Sequence, residues 1–182
     1  MAVKIRWAEP SDAPAIAAIH VRAWQAAYRG LLSEDYLEGL SVPDREMKWR
    51  LALTTQREKQ FALLALGRRK VPVGFASGGP SQDKDVPSQT GEIYAVYLEP
   101  DVIGTGVGRE VFARATGVLQ VRGFTSATLW VLEANERARR FYEAAGWQPD
   151  GSGTEERIDC QSLPTVRYRI DFGAEPPPAA SD

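Results

Sequence analysis

Apolar residues along this chain recur with two different periods, which predict alternating strands and helices. Residues 3–8 alternate between apolar and polar side chains, which is typical of a short strand. A helix with Pro14 in its first turn is predicted to continue to about Tyr28. Ser33 and Ser41 are good helix caps, and each is expected to open a further helix.

Strands dominate the prediction for the rest of the chain. Residues 60–66 and 71–78 flank a Gly-Arg-Arg-Lys turn and predict an antiparallel pair. Four more strands are predicted, over 91–98, 126–132, 154–159 and 164–172, with helices from Val107 to about Gly123 and over 136–145. This order predicts an α/β (α+β) fold in which helices flank a mixed, mostly antiparallel sheet of about seven strands.

Length and composition favour one globular domain over residues 1–172. Of the 182 residues, 43% are hydrophobic and the net charge is -2, which excludes the basic surface that nucleic acid requires. The polar segment 79–90 is expected to be a mobile connection, and the proline-rich tail 173–182 to be disordered. With no apolar run long enough for a leader or a membrane span, we expect a cytoplasmic protein without a membrane partner.

A glycine cluster at the end of strand 91–98 is the clearest chemical signal. A strand, a loop with few side chains and a helix start place free backbone N–H groups around one point, which favours phosphate binding. The cluster consists of Gly104, Thr105, Gly106, Val107 and Gly108. It predicts a site for a phosphorylated cofactor, whereas one cysteine and one histidine exclude metal sites built from several such ligands.

Two other kinds of phosphate-binding loop are alternatives for this cluster. A Walker A loop needs a Gly-Lys pair, which the chain lacks. A dinucleotide fingerprint could start at Gly104 and Gly106, with Glu133 as its ribose-binding acid, but its third position is Arg109. The cluster also follows the fourth predicted strand instead of opening a βαβ series. A dinucleotide-binding protein therefore stays as an alternative.

The segment from Ile103 to Gly108 resembles the pyrophosphate-binding loop of the GCN5-related N-acetyltransferases, the GNAT family. That family's pattern is Arg or Gln, two residues, Gly, one residue, then Gly or Ala. Gly106 and Gly108 match, whereas Ile103 replaces the usual polar residue. The helix from Asn135 to Tyr142 resembles the family's second cofactor segment, so the two segments together carry the resemblance.

The resemblance implies the acyl-CoA N-acyltransferase fold and direct transfer of acetyl from acetyl-CoA to a primary amine. A sensor or scaffold of the same fold that binds acyl-CoA without turnover is the alternative. The resemblance assigns cofactor contacts to Tyr97, Leu98, Ile103, Gly104, Thr105, Gly106, Val107, Gly108, Arg109, Asn135 and Tyr142. Tyr142 is expected to protonate the leaving thiolate, and Glu92 is either the general base, with a raised pKa, or a solvated carboxylate at a strand end.

The acceptor is specified only coarsely. Aromatic side chains lie in the region where family members bind it, namely Trp24, Tyr28 and Tyr36, and Tyr94 lies on the strand that leads to the glycine cluster. Trp24, Tyr28 and Tyr94 are the expected acceptor contacts, and the alternative is that these rings belong to the core. His20 is expected to be a packed side chain rather than a catalytic one. The acceptor is a small molecule or a protein amine, and a homodimer is a common assembly in the family.

Overall fold

A computed structural model describes residues 3–173, which form seven strands and five α-helices. The strands are β1 (Lys4–Trp7), β2 (Phe61–Leu66), β3 (Pro72–Pro80), β4 (Thr90–Leu98), β5 (Ser126–Leu132), β6 (Gln148–Ile158) and β7 (Gln161–Asp171). The helices are α1 (Ala13–Ala27), α2 (Glu34–Glu38), α3 (Val42–Thr54), α4 (Val107–Val121) and α5 (Glu136–Ala144). The predicted tail lies outside the described residues from position 174 onwards.

All seven strands form one sheet in the order β1-β2-β3-β4-β5-β7-β6. Every pairing is antiparallel except that of β4 with β5, which confirms the predicted mixed, mostly antiparallel sheet. The parallel pair covers only three positions, from Thr90 opposite Ser126 to Glu92 opposite Thr128. Beyond Glu92 the two strands continue without pairing, so the middle of the sheet opens.

Helices cover both faces of this sheet. On one face α4 and α5 pack on residues such as Leu63 and Ile93, and on the other α1 and α3 pack on residues such as Leu64 and Phe75. Strand β2 is consequently buried at every position, which explains why its sequence is continuously apolar rather than alternating.

Strand β6 begins six residues earlier than predicted. Pro149, Gly151 and Gly153 interrupt any regular apolar pattern there, and the pairing with β7 shifts register between Pro149 and Gly153. An irregularity of this kind lets a strand contain residues that normally end one.

The segment 79–90 is anchored, in contrast to the mobile connection that its polar sequence predicts. The guanidinium of Arg167 is 5% exposed and binds Asp83 at 3.1 Å and Asp85 at 2.7 Å, both in this segment. It also binds Asp150 of β6 at 2.7 Å. A buried cation needs such partners, and here they tie the segment to the sheet.

Neither a membrane span nor a metal cluster is found within residues 3–173. No helix in that range is long and apolar enough to cross a bilayer. No group of three or more His, Cys, Asp or Glu side chains in the same range is arranged to hold a metal ion.

Candidate active site

The glycine cluster forms the turn that leads from β4 into α4. Gly104 and Gly106 have φ angles of +82° and +91°, a backbone conformation that favours glycine. Gly106 caps the helix without any side-chain hydrogen bond, and the N–H groups of Val107, Gly108 and Arg109 have no partner among residues 3–173. These N–H groups lie at the positive end of the helix, where they can donate hydrogen bonds to a bound anion.

Gly108 is closely packed, and its backbone angles are those that any residue can adopt in a helix. A β-carbon at this position would lie 3.1 Å from the Leu98 side chain and 3.7 Å from Phe141. The small residue therefore lets the first turn of α4 approach the end of β4 and the side of α5 closely. Thr105 stabilises the loop, because its hydroxyl donates to the Val102 carbonyl at 2.6 Å.

A β-bulge lies in the strand that precedes the loop. Ser77 of β3 pairs with Ala95 and its neighbour Gly78 pairs with Ile93, which leaves Tyr94 as the extra residue of β4. A bulge shifts which backbone groups face each neighbouring strand. It lies close to the point where β4 and β5 stop pairing.

Two backbone N–H groups near the end of β4 face the gap between β4 and β5. Glu99 donates its N–H to Val73 of β3 at 2.9 Å. Since N–H directions alternate along a strand, the N–H of Tyr97 also points to β3, whereas those of Val96 and Leu98 point to the gap beside β5. Of the two strand residues that the resemblance assigns to the cofactor, Tyr97 and Leu98, only Leu98 thus has its N–H in the gap. Val96, which no sequence signal indicated, has its N–H there as well.

Helix α5 carries two of the predicted site residues. The side-chain oxygen of Asn135 accepts from the Ala138 N–H at 3.1 Å, which caps the helix. One side of Tyr142 packs on Phe112 of α4, with ring centroids 5.3 Å apart. Burial raises the pKa of Tyr142, and the nearby Tyr97 phenol raises it further, so this hydroxyl stays protonated at neutral pH.

Glu92 lies at the last paired position before the gap, opposite Thr128. Its carboxylate accepts the Gln82 backbone N–H at 2.8 Å and the Ser81 hydroxyl at 3.3 Å. Burial raises the pKa of Glu92, the Gln82 hydrogen bond partly lowers it, and the Asp83 charge raises it again. A carboxylate with a raised pKa is a better proton acceptor than an exposed one.

An aromatic cleft lies on the other side of the gap, next to α1. Trp24 and Tyr28 meet edge to face with their ring centroids 4.8 Å apart, and Tyr97 stacks on His20 at 4.8 Å. Burial, followed by the neighbouring Tyr97, raises the pKa of Tyr28. Apolar residues in and on either side of α2 and in the β6–β7 hairpin extend the cleft, namely Leu32, Leu37, Leu40, Ile158 and Leu163.

The comparisons with known proteins agree with this geometry. The model of the acetyltransferase (GNAT) family matches residues 15–147. The chain belongs to this family. This GNAT protein is 32% identical over 142 residues to the uncharacterized N-acetyltransferase YuaI of Bacillus subtilis, with 78% of each chain covered. It is 30% identical over 139 residues to an uncharacterized N-acetyltransferase of Archaeoglobus fulgidus, covering 74% of this chain and 90% of that protein.

Solved structures share the fold of this GNAT protein. The PaiA N-acetyltransferase of Thermoplasma acidophilum, solved in complex with coenzyme A, has a TM-score of 0.70 and 18% identity, with 94% of this chain and 100% of that chain covered. YncA of Salmonella typhimurium, solved with its cofactor acetyl-CoA, has the same TM-score and 19% identity, with both chains covered completely.

Family membership makes the chain an acetyl-CoA-dependent N-acetyltransferase, as the resemblance implied. The dinucleotide-binding alternative needs a doubly wound parallel sheet, whereas five of the seven strands here pair only antiparallel and the other two, β4 and β5, share the single short parallel pair. The glycine cluster alone could not separate these possibilities, whereas the sheet does.

Tyr94 lies apart from the aromatic cleft. Its hydroxyl donates to the Pro80 carbonyl at 2.5 Å, and its ring lines a cavity of about 390 Å³ beside Gln60, Ser81 and Gln82. The structure brings together Trp24 and Tyr28 but places Tyr94, the extra residue of the bulge, beside Ser81 and Gln82, which also bind the Glu92 carboxylate. This position could not be read from the sequence.

His20 is a packed side chain, in line with the sequence prediction. It is 9% exposed, and its Nδ1 accepts the Trp49 indole N–H at 3.1 Å. Burial, and to a smaller extent the charge of Arg45, lowers the pKa of His20 to about 3. The imidazole is therefore neutral at physiological pH.

Arg109 follows the loop on α4 and lines a cavity of about 320 Å³ between α4 and α5. Aromatic side chains form much of its wall, namely Phe112, Phe141 and Trp147. Arg109 forms no salt bridge with any residue between 3 and 173, so its charge is free to meet an anion near the loop.

Proposed function

We propose that this protein acetylates a primary amine by direct transfer, with Glu92 as general base and Tyr142 as general acid. The observation that carries this proposal is the opening of the sheet after the Glu92–Thr128 pair. Glu92, the free N–H groups of β4 and the Tyr142 helix all border this gap, and the aromatic cleft opens on its far side.

The residues present fit coenzyme A. The unpartnered N–H groups at the start of α4 would hold the pyrophosphate, and Arg109 would add a positive charge beside it. The pantetheine arm would lie along the unpaired edge of β4, where peptide N–H groups can hydrogen-bond its amides. Asn135 uses only its oxygen as a cap, so its amide N–H groups are free to contact that arm.

Bound acetyl-CoA supplies an electrophilic thioester carbonyl. Glu92 would accept the proton that the attacking amine must lose, directly or through a water molecule. The N–H of Val96, nearer the point where the sheet opens, would stabilise the negative charge that develops on the carbonyl oxygen, and that of Leu98, about two residue rises further along β4, would bind the pantetheine arm. Tyr142 would donate its proton to the thiolate as it leaves, and its raised pKa keeps that proton available.

Trp24 and Tyr28 would form the acceptor pocket, because they line the cleft beside the Tyr97 and Tyr142 phenols. Tyr94 lies outside this pocket, so it would influence the acceptor only indirectly, through the bulge that orients β4. A cytoplasmic location and a homodimer stay predictions.

Two measurements on the full chain test the proposal. Acetyl-CoA should raise the melting temperature and NAD should not, and free thiol should be released when a suitable amine is added. Stabilisation by acetyl-CoA without thiol release, across amino acids, polyamines, aminoglycosides and peptides, would instead favour the sensor. Stabilisation by NAD alone would contradict the cofactor assignment.

A further inference from the structure

Two oppositely charged side chains without a salt bridge to any described residue lie beside the aromatic cleft. They are Arg45 of α3 and Glu156 of β6. Among residues 3–173 neither side chain forms a salt bridge or a hydrogen bond. A charge kept beside an apolar cleft without an internal partner suits a ligand of opposite charge.

Arg45 is placed by the packing of α3 on α1. Its guanidinium lies 5.0 Å from the centre of the Trp24 ring. One turn later on the same side of α3, Trp49 donates its indole N–H to His20. The charge of Arg45 also lowers the pKa values of His20 and Tyr97, which agrees with its position at the cleft.

Glu156 is placed by the register of the β6–β7 hairpin. It pairs with Leu163 and lies two residues before Ile158, so all three side chains are on the same face of the hairpin. Leu163 and Ile158 belong to the hydrophobic cluster that contains Trp24 and Tyr28. Glu156 therefore lies at the exposed rim of the cleft, where its charge raises the pKa of Tyr28.

A third polar group in the cleft lacks a partner. The indole Nε1 of Trp24 is buried and forms no hydrogen bond with any described residue. Burial raises the pKa of the nearby Tyr97 phenol, and its contacts with Tyr28 and with this indole lower it in part. A buried donor without an acceptor destabilises the folded protein, so a ligand oxygen bound here would remove that cost.

We propose that the acetyl acceptor is an α-amino acid with an apolar side chain. Arg45 and the Trp24 N–H would bind its carboxylate, Glu156 would attract its ammonium group, and the apolar residues of the cleft would hold its side chain. The ammonium group then gives up its proton to Glu92 before the amine attacks. This assignment rests on the proposed acetyl transfer and adds its substrate class.

Paired acceptors with and without the carboxylate test this assignment. Thiol release is measured for leucine, methionine and phenylalanine and for their amides, with kcat/KM expressed per free-base amine because the two amines differ in pKa. A charge-assisted contact predicts that each acid is better than its amide by about tenfold or more. Equal rates, or faster amides, would overturn the assignment.

Two substitutions test the two charged side chains separately. Arg45→Gln should raise KM for the acids about tenfold, leave KM for the amides and for acetyl-CoA unchanged, and so abolish the preference. Arg50→Gln is the matched control, since Arg50 lies on the same helix, is exposed and pairs with Glu46. Glu156→Gln should raise KM for acids and amides alike, whereas Glu155→Gln, next to it on the other face of β6, should not.

The outcomes also separate this assignment from the proposed function. If polyamines or peptides are acetylated and amino acids are not, the substrate class is wrong while N-acetyl transfer stands. An unchanged preference in Arg45→Gln would likewise overturn the role of the carboxylate. If no amine releases thiol, the proposed function itself fails, and the substrate class with it.

Discussion

The two proposed sides of the site would recognise their ligands with different parts of the chain. The proposed cofactor side consists of backbone N–H groups, in the turn around Gly106 and along the open edge of β4. The proposed acceptor side consists of side chains, with Trp24 and Tyr28 in contact and Arg45 beside Trp24.

This difference explains which substitutions each side can tolerate. A backbone site depends on loop shape, so Ile103 can replace the usual polar residue of the family's loop without removing any main-chain donor. A side-chain site changes with every substitution, so it can give related enzymes different acceptors. We therefore expect substitutions on the two sides to have separable effects on the two ligands.

The largest effect is expected at Tyr142, where the two sides meet. Tyr142→Phe removes the proposed acid but keeps the ring contact with Phe112, so kcat should fall by about 10³. Affinity for acetyl-CoA, measured by calorimetry, should change less than about twofold because no donor on the cofactor side is lost. A wild-type kcat in this variant would remove the acid role.

Glu92→Gln should lower kcat by about 10² and change the pH profile. In the wild type the rate should rise with pH as Glu92 loses its proton, at a pH above the ordinary range of glutamate, because burial raises its pKa. The variant should lose that limb of the profile. An unchanged pH–rate profile would contradict the assignment of Glu92 as the base.

The stability of Glu92→Gln provides the control for this experiment. An acid whose folded-state pKa is raised makes folding less favourable at pH values above that pKa. Gln can still accept the Gln82 N–H, so the melting temperature at about pH 8 should be equal to that of the wild type or higher. Lost activity together with a lower melting temperature would indicate damage to the fold instead.

Gly106→Ala tests the backbone site itself. A β-carbon at a φ of +91° strains the loop and projects where the anion would bind, so the Kd for acetyl-CoA should rise about 30-fold. Gly123→Ala is the matched control, because Gly123 has a φ of +84° and equally open surroundings beyond the other end of α4. Equal losses of affinity in both variants would assign the effect to backbone strain alone.

The cofactor side was easier to predict from the sequence than the acceptor side. A backbone site depends on the local conformation of a short segment. Glycines at Gly104, Gly106 and Gly108 and a cap at Asn135 are local signals, and local signals can be read from the sequence. The bulge at Tyr94 arises from the pairing of β4 with β3, which leaves no mark in the sequence of either strand.

Long-range contacts account for what the sequence could not reveal. Asp83 and Asp85 look like ordinary loop residues until Arg167, more than eighty positions away, is found between them. Likewise, the position of Glu156 at the cleft follows from the register of a hairpin whose first strand was only partly predicted. These features depend on tertiary structure, whereas capping and periodicity depend on neighbouring residues.

The smallest effect concerns the core of the acceptor side, where His20 is neutral among aromatic rings. Its folded-state pKa of about 3 lies below the unfolded value, so the unfolded chain binds the proton first and stability is lost as the pH falls from 6.5 towards 3. Between about pH 7.5 and 5.5 this linkage contributes a loss of about 1.4 kcal/mol in the free energy of unfolding. His20→Gln can still accept the Trp49 N–H and should lack that contribution, which urea unfolding of both proteins at the two pH values would measure. If both proteins lose the same stability, His20 is protonated in the folded state, and the acceptor side holds a charge that its aromatic packing would otherwise exclude.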